Sequence, residues 1–198
     1  AEAALAMAQT EAPALLVVRK DGGLFRDDET AMVNYRVQGD RYIVDQVFGA
    51  PGQHSSLEIL IGIYAYAVQI YADFSGYTDI AIGIALLLGF SFPQNFDSPY
   101  AATSVQDFWR RWHMTLSRWL RDYVYTPLGG NRGSLGFTYR NLMLTMLIGG
   151  LWHGAGMTFV TWGVAHGVGL GVAVLWRRAG WPMPPVLGWF LTFLFVVM

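Results

Sequence analysis

Cysteine is absent from this chain, which removes disulfide frameworks, thiolate metal sites and cysteine nucleophiles together. Charge is scarce as well: 14% of the 198 residues are Asp, Glu, Lys or Arg, against about 25% in an ordinary soluble domain. No Lys or Arg occurs from Tyr42 to Trp109, and no charged residue of either sign from Asn141 to Trp176. A basic run interleaved with aromatics is missing too, so nucleic acid is not an expected partner. The start lacks the charged-then-apolar pattern of a signal peptide. No two of the histidines stand four apart, the helical spacing of zinc motifs, and no metal is expected.

What remains is apolar: 54% of the residues are hydrophobic and 15% aromatic. This composition belongs to a membrane protein, and the expected fold class is all-α, a multi-pass helical core with one amphipathic interfacial helix. Residues 1–43 read as a polar segment, 44–176 as the membrane core, and 177–198 as a loop followed by the start of a further transmembrane helix. That last helix, from Val186, stops after 13 residues, so the chain is expected to be incomplete at its end.

Two apolar runs, Leu57 to Ala72 and Ile80 to Phe92, flank Asp73-Phe-Ser-Gly-Tyr-Thr-Asp79. Each is shorter than the roughly 20 residues that cross hydrocarbon, so they either cooperate or form broken helices. Asp73 and Asp79 at such depth must face protein or water. They read as structural hydrogen-bonders, with ion handling as the alternative. Val105 to Val124 has the period of one amphipathic helix: Phe108, Trp109, Trp112, Leu116, Trp119, Leu120 and Tyr123 share a stripe, and the arginines oppose it. An Arg- and Trp-rich helix of this kind lies at the membrane surface, on the cytoplasmic side by the positive-inside rule.

The uncharged stretch from Asn141 to Trp176 would be about 54 Å long as one helix, well beyond a bilayer of about 30 Å. A break is therefore expected at Gly154-Ala155-Gly156, directly after His153, which sets that histidine inside the membrane. A neutral imidazole there can take a proton from a hydroxyl attacking a thioester; the alternative is a histidine that only bonds a neighbouring helix. His113 falls within the apolar stripe and either orients a substrate or is a core histidine bonded to a carbonyl. His166 would lie about 220° from His153 on a continuous helix and is not expected to be its partner. Arg110, Arg111, Arg118, Arg121 and Arg132 form a face that touches anionic lipid or holds the phosphates of an acyl donor.

Five blocks carry a resemblance: Gln69-Ile-Tyr-Ala-Asp-Phe-Ser-Gly-Tyr-Thr-Asp-Ile-Ala-Ile-Gly83, Pro93-Gln-Asn-Phe-Asp-Ser-Pro-Tyr100, Asp107-Phe-Trp-Arg-Arg-Trp-His113 and its continuation to Tyr125, Pro127-Leu-Gly-Gly-Asn-Arg132, and Gly150-Leu-Trp-His-Gly154. Together they make the chain resemble the membrane-bound O-acyltransferase family, in its bacterial alginate O-acetyltransferase branch, with the D-alanyl transfer branch close by. The resemblance implies a multi-pass enzyme of the bacterial inner membrane with no bound cofactor. It would move an acetyl group from acetyl-CoA or another acyl thioester to an exported or cell-envelope polysaccharide. A periplasmic acyltransferase partner is implied as well. The family's membrane histidine falls on His153 and the branch's second histidine on His113, making these the catalytic pair. The competing readings are D-alanyl transfer to teichoic acid, an ion-coupled transporter, and a noncatalytic membrane remnant.

Overall fold

The computed structural model describes residues 44–197, and the polar segment 1–43 lies outside the described residues. The described residues are helical, with no strand among them. They fall into two compact units that meet between Phe74 and Ser75, and each is taken by itself.

In the first unit, a short helix α1 (Asp45–Gly49) is followed by a 3-10 turn at Pro51–Gln53 and by the first turns of α2 (Ser56–Leu87). Ser55 and Glu58 make a capping box: the Ser55 amide donates to Glu58 Oε2 at 2.7 Å, and the Glu58 amide donates to Ser55 Oγ at 3.3 Å. Two of the helix's orphan donors are satisfied this way. Gly62 gives Val47 of α1 room to lie on α2, and Phe48 packs on Tyr66 with ring centroids 5.3 Å apart.

α2 is one unbroken helix of 32 residues. The two apolar runs therefore cooperate, and the second ends at Leu87, sooner than its apolar composition suggests. Asp73 and Asp79 do not interrupt it, because an aspartate costs a helix interior only a few tenths of a kcal/mol. Asp79 is exposed and accepts a hydrogen bond from Gln94 at 3.4 Å. α2 and the helix Met157–Arg178 are the two described helices long and apolar enough to cross a membrane.

In the second unit, a turn at Gly89 and an extended loop lead to the 3-10 turn Pro99–Ala101, then to α3 (Val105–Arg111) and α4 (Met114–Leu120). A π-helical turn, Arg121–Tyr125, closes this stretch. The single amphipathic helix expected over Val105 to Val124 is thus two short helices and a wide turn. Its apolar stripe holds at Phe108, Leu116 and Leu120, which are buried, but Trp119 and Tyr123 are exposed and pack on each other at 5.6 Å. The widened turn at Arg121–Tyr125 takes Tyr123 out of the α-helical register, whereas Trp119 lies before it in α4.

α5 (Leu135–His153) and α6 (Met157–Arg178) form an antiparallel hairpin whose turn is Gly154-Ala-Gly156. Its arms are about 28 and 33 Å long at 1.5 Å per residue. The break falls where the sequence places it, so His153 stands at the turn and Arg177 and Arg178 at the other end. α5 starts on Ser134, whose hydroxyl accepts from the Phe137 amide, and its base is fixed by Asn141. Asn141 is fully buried and donates to the carbonyls of Leu128 and Gly130 at 3.0 and 2.9 Å, while Arg140 donates to its Oδ1. These bonds tie the Pro127-Leu-Gly-Gly turn to the hairpin.

The arms approach backbone to backbone. A methyl group on Gly163 would fall 2.5 Å from the carbonyl oxygen of Met146, and one on Gly150 would collide with that of Phe159. Small residues at such positions let helices associate by van der Waals contact where the hydrophobic effect gives no drive. α7 (Pro185–Val197) lies against the Pro99 turn: Trp189 Nε1 donates to the Tyr100 carbonyl at 2.8 Å, and Gly188 sits against the Thr103 carbonyl.

Candidate active site

The break between α3 and α4 builds the site. His113 has φ 42°, a left-handed conformation costly for a side chain with a Cβ, and the chain there is held by the upstream loop. The Asp97 amide donates to the Arg111 carbonyl at 3.0 Å, and the Met114 amide to the Asn95 carbonyl at 2.9 Å. Buried Asn95 also receives the Thr115 amide at 3.2 Å and the Thr115 hydroxyl at 3.0 Å on its Oδ1. α4 is therefore capped from outside its own segment, by a residue 20 positions upstream. The same Oδ1 lies 3.2 Å from Nδ1 of His113.

Held this way, the half-buried His113 ring meets the Trp152 ring edge-on at 6.0 Å, and Trp152 meets His153 at 5.0 Å. The two sequence-predicted histidines are thus both brought against one indole. Burial, and then the charge of nearby His153, push the His113 imidazole down to about 4. It is neutral at physiological pH. His153 is exposed at the hairpin turn, with Phe159 stacked at 6.0 Å and Trp162 edge-on at 5.3 Å. Gly154, at φ 157°, packs against Phe159 and ends α5 directly behind the histidine.

His166 belongs to the same aromatic group. The chain reverses at Gly154, so the angular argument for a continuous helix does not apply to it. Its ring lies 4.6 Å from that of Trp162, and Trp109 Nε1 donates to its Nδ1 at 3.2 Å. Because an indole N–H can only donate, His166 carries its proton on Nε2. Trp162 stands between it and His153, so the three histidines border one aromatic cluster without His166 touching His153 directly. A missed signal lay in the sequence: Trp162 and His166 are four apart and face the same way on α6.

A cavity of about 840 Å³ opens beside this cluster, between α3–α4 and the α5–α6 hairpin. Exposed Arg110, Arg118, Arg121, Arg177 and Arg178 line its outer part, and buried Leu120, Met146 and Leu170 its inner part. Met114 and Trp109 reach it; His113 and His153 do not line it. Three of the five sequence-predicted arginines are therefore brought together. Arg111 instead pairs with Asp107 at 3.1 Å, and Arg132 sits exposed in the turn after Gly130. Arg177 and Arg178, not predicted for this role, complete the set. Arg177 donates to Gln106 at 2.6 Å, Arg118 to the carbonyls of Met114 and Gln94, and Arg121 to Asp122. No cluster of metal-ligating side chains occurs among the described residues.

Two helices long and apolar enough to cross a membrane, one of them an arm of a hairpin with a histidine at its turn, and a second histidine at a break between short helices are the features of a membrane protein. The chain belongs to the membrane-bound O-acyltransferase family, whose model matches residues 51–185. It is 54% identical over 142 residues to the "Probable alginate O-acetylase AlgI" of Pseudomonas aeruginosa, covering 70% of this chain and 27% of that protein. It is 53% identical to the "Peptidoglycan O-acetyltransferase" of Helicobacter pylori, over 67% of this chain and 26% of that protein. A "Teichoic acid D-alanyltransferase" of Bacillus subtilis is 33% identical, over 55% of this chain and 29% of that protein. The matched region thus spans 27% of the length of the alginate O-acetylase relative.

Proposed function

We propose that this chain is the histidine-bearing part of a bacterial inner-membrane O-acyltransferase. It moves an acetyl group from a cytoplasmic thioester, acetyl-CoA or an acyl carrier, to a hydroxyl of an exported or cell-envelope polysaccharide such as alginate. The carrying observation is the convergence of His113 and His153 on Trp152, from segments separated by a helix and two turns. In the reaction, the acceptor oxygen attacks the thioester carbonyl while His153 takes its proton. The C–S bond then breaks and the departing thiolate recovers a proton from the imidazolium, so the base is regenerated. His113, neutral, is the second polar group at the reacting centre.

Arg110, Arg118 and Arg121, with Arg177 and Arg178, would receive the phosphates of the donor, and the apolar inner part of the cavity would take its less polar arm. A periplasmic acyltransferase working on the exported chain is the expected partner. The O-acetyl relatives at 53–54% identity, against 33% for the D-alanyl relative, favour acetyl over D-alanyl transfer. The test is to offer membranes from cells expressing the gene that carries this sequence labelled acetyl-CoA or a labelled D-alanyl carrier protein, and to follow label into polysaccharide. Acetyl label in polysaccharide supports the reading. D-alanyl label moves it to the other branch, and proton- or sodium-dependent flux without either transfer replaces it with a transporter.

A further inference from the structure

The group that fixes the protonation pattern of His113 lies outside its own helix. Asn95 Oδ1 is identified as oxygen by its partners, since a backbone N–H, that of Thr115, can only donate and must meet an acceptor. The Thr115 hydroxyl donates to the same atom. The nitrogen of His113 that faces this oxygen at 3.2 Å is Nδ1, and the Thr115 Oγ1 lies 3.4 Å from it on the same side. The amide oxygen can only accept, and the Thr115 hydroxyl already gives its one proton to that oxygen, so in the neutral ring the proton sits on Nδ1 and the lone pair on Nε2. An unbiased imidazole is free to choose either nitrogen. Here the choice is made by a buried amide that also caps α4 and holds His113 at its positive φ.

We infer that Asn95 is a positioning residue for the acyl transfer proposed above: it locks His113 as the Nδ1–H tautomer, so that Nε2 is the nitrogen that accepts a proton or a hydroxyl hydrogen bond at the reacting centre. The pattern is opposite to that of His166, where the indole of Trp109 holds the proton on Nε2. One histidine of the cluster is thereby set as an acceptor toward its surroundings and the other as a donor. The inference rests on the acyltransferase reading for its consequence, but the tautomer is a property of the folded chain with or without activity.

Two readouts test it. In 15N-histidine-labelled full-length protein in detergent, the signals absent from a His113→Gln variant should show a protonated Nδ1 and an unprotonated Nε2 near neutral pH. The same signals with the proton on Nε2 would overturn the inference whether or not the protein transfers acyl groups. Asn95→Leu removes the acceptor and should lower kcat about tenfold or more, the scale of losing an orienting partner of a working histidine. Asn95→Asp separates positioning from capping, because a carboxylate still accepts from Thr115 and so preserves α4. It also stabilises the imidazolium of His113, against the opposing charge of His153, the titratable group whose charge bears on it. The acidic limb of its rate profile should therefore move to higher pH. A profile superimposable on wild type, from a folded Asn95→Asp protein, would leave Asn95 as a helix cap alone. Absence of transfer in the wild type would refute the enzyme reading while leaving the tautomer measurement decisive for this one.

Discussion

Replacing Gly163 by alanine adds a single methyl group, and the structure gives it nowhere to go. That methyl would lie 2.5 Å from the Met146 carbonyl oxygen and 3.4 Å from the Cα of Gly150, both backbone atoms on the facing arm. A side chain could rotate away, whereas a helix backbone has to move as a body. The arms must separate by roughly an ångström, which forfeits a quarter to a half of each affected van der Waals well along the seam. Overpacking of this kind costs about 1–3 kcal/mol. The upper half is expected here, because Gly167 and Gly171 extend the same tight seam against Met143 and Tyr139. The neighbour Trp162 would shift with α6, loosening its 5.3 Å contact with His153, so transfer should fall along with stability. The assay is reversible unfolding by SDS from mixed micelles, followed by tryptophan fluorescence. Gly83→Ala is the control: no heavy atom lies within 4 Å of its added methyl, and it sits inside α2. It should be neutral or stabilising by about 0.5–1 kcal/mol. Equal stability of Gly163→Ala and wild type would refute the close packing of the hairpin.

Other consequences are as specific. Asn141→Ala leaves the Leu128 and Gly130 carbonyls without their buried donor and should destabilise by about 1–3 kcal/mol, read by the same SDS titration. The low pKa of His113 means that the unfolded chain binds more protons than the fold below pH 6.5. Its contribution to stability is therefore fully present above 6.5 and lost as pH falls toward about 4. Wild type should thus lose more unfolding temperature between pH 7 and 5 than a His113→Gln variant; parallel losses would contradict the neutral assignment. Replacing Arg110 and Arg178 together by glutamine should raise KM for the thioester donor severalfold and flatten its salt dependence, with kcat little changed. An unchanged KM would remove the phosphates from that cavity.

Local patterns made much of this architecture legible. The glycine break after His153 follows from the length of an uncharged stretch against the thickness of a bilayer, and the chain turns there. Ser104 and Ser134 cap the starts of α3 and α5 with their side chains, a further local signal that went unread. The break at His113 was not legible, because the apolar period continues through it. Phe108, Leu116 and Leu120 keep to one side while Asn95, 20 residues upstream of the Thr115 amide, supplies the cap. The role of Asn95 was hidden for the same reason, although it lies within the block Pro93 to Tyr100. His166 stays out of contact with His153, but through the intervening Trp162, since an angle along one helix has no meaning across a reversal. Among the arginines, spacing could not tell Arg111, drawn to Asp107 one turn back, from Arg110, which faces the cavity.

The proposed role of His153 as the base for acyl transfer is tested by the rate of acetyl transfer from labelled acetyl-CoA to cell-envelope polysaccharide in membranes with matched amounts of wild-type and His153→Ala protein. Loss of a general base should lower the rate about 100- to 10,000-fold, with the variant still inserted and as stable as wild type. Transfer at the wild-type rate in His153→Ala would contradict it.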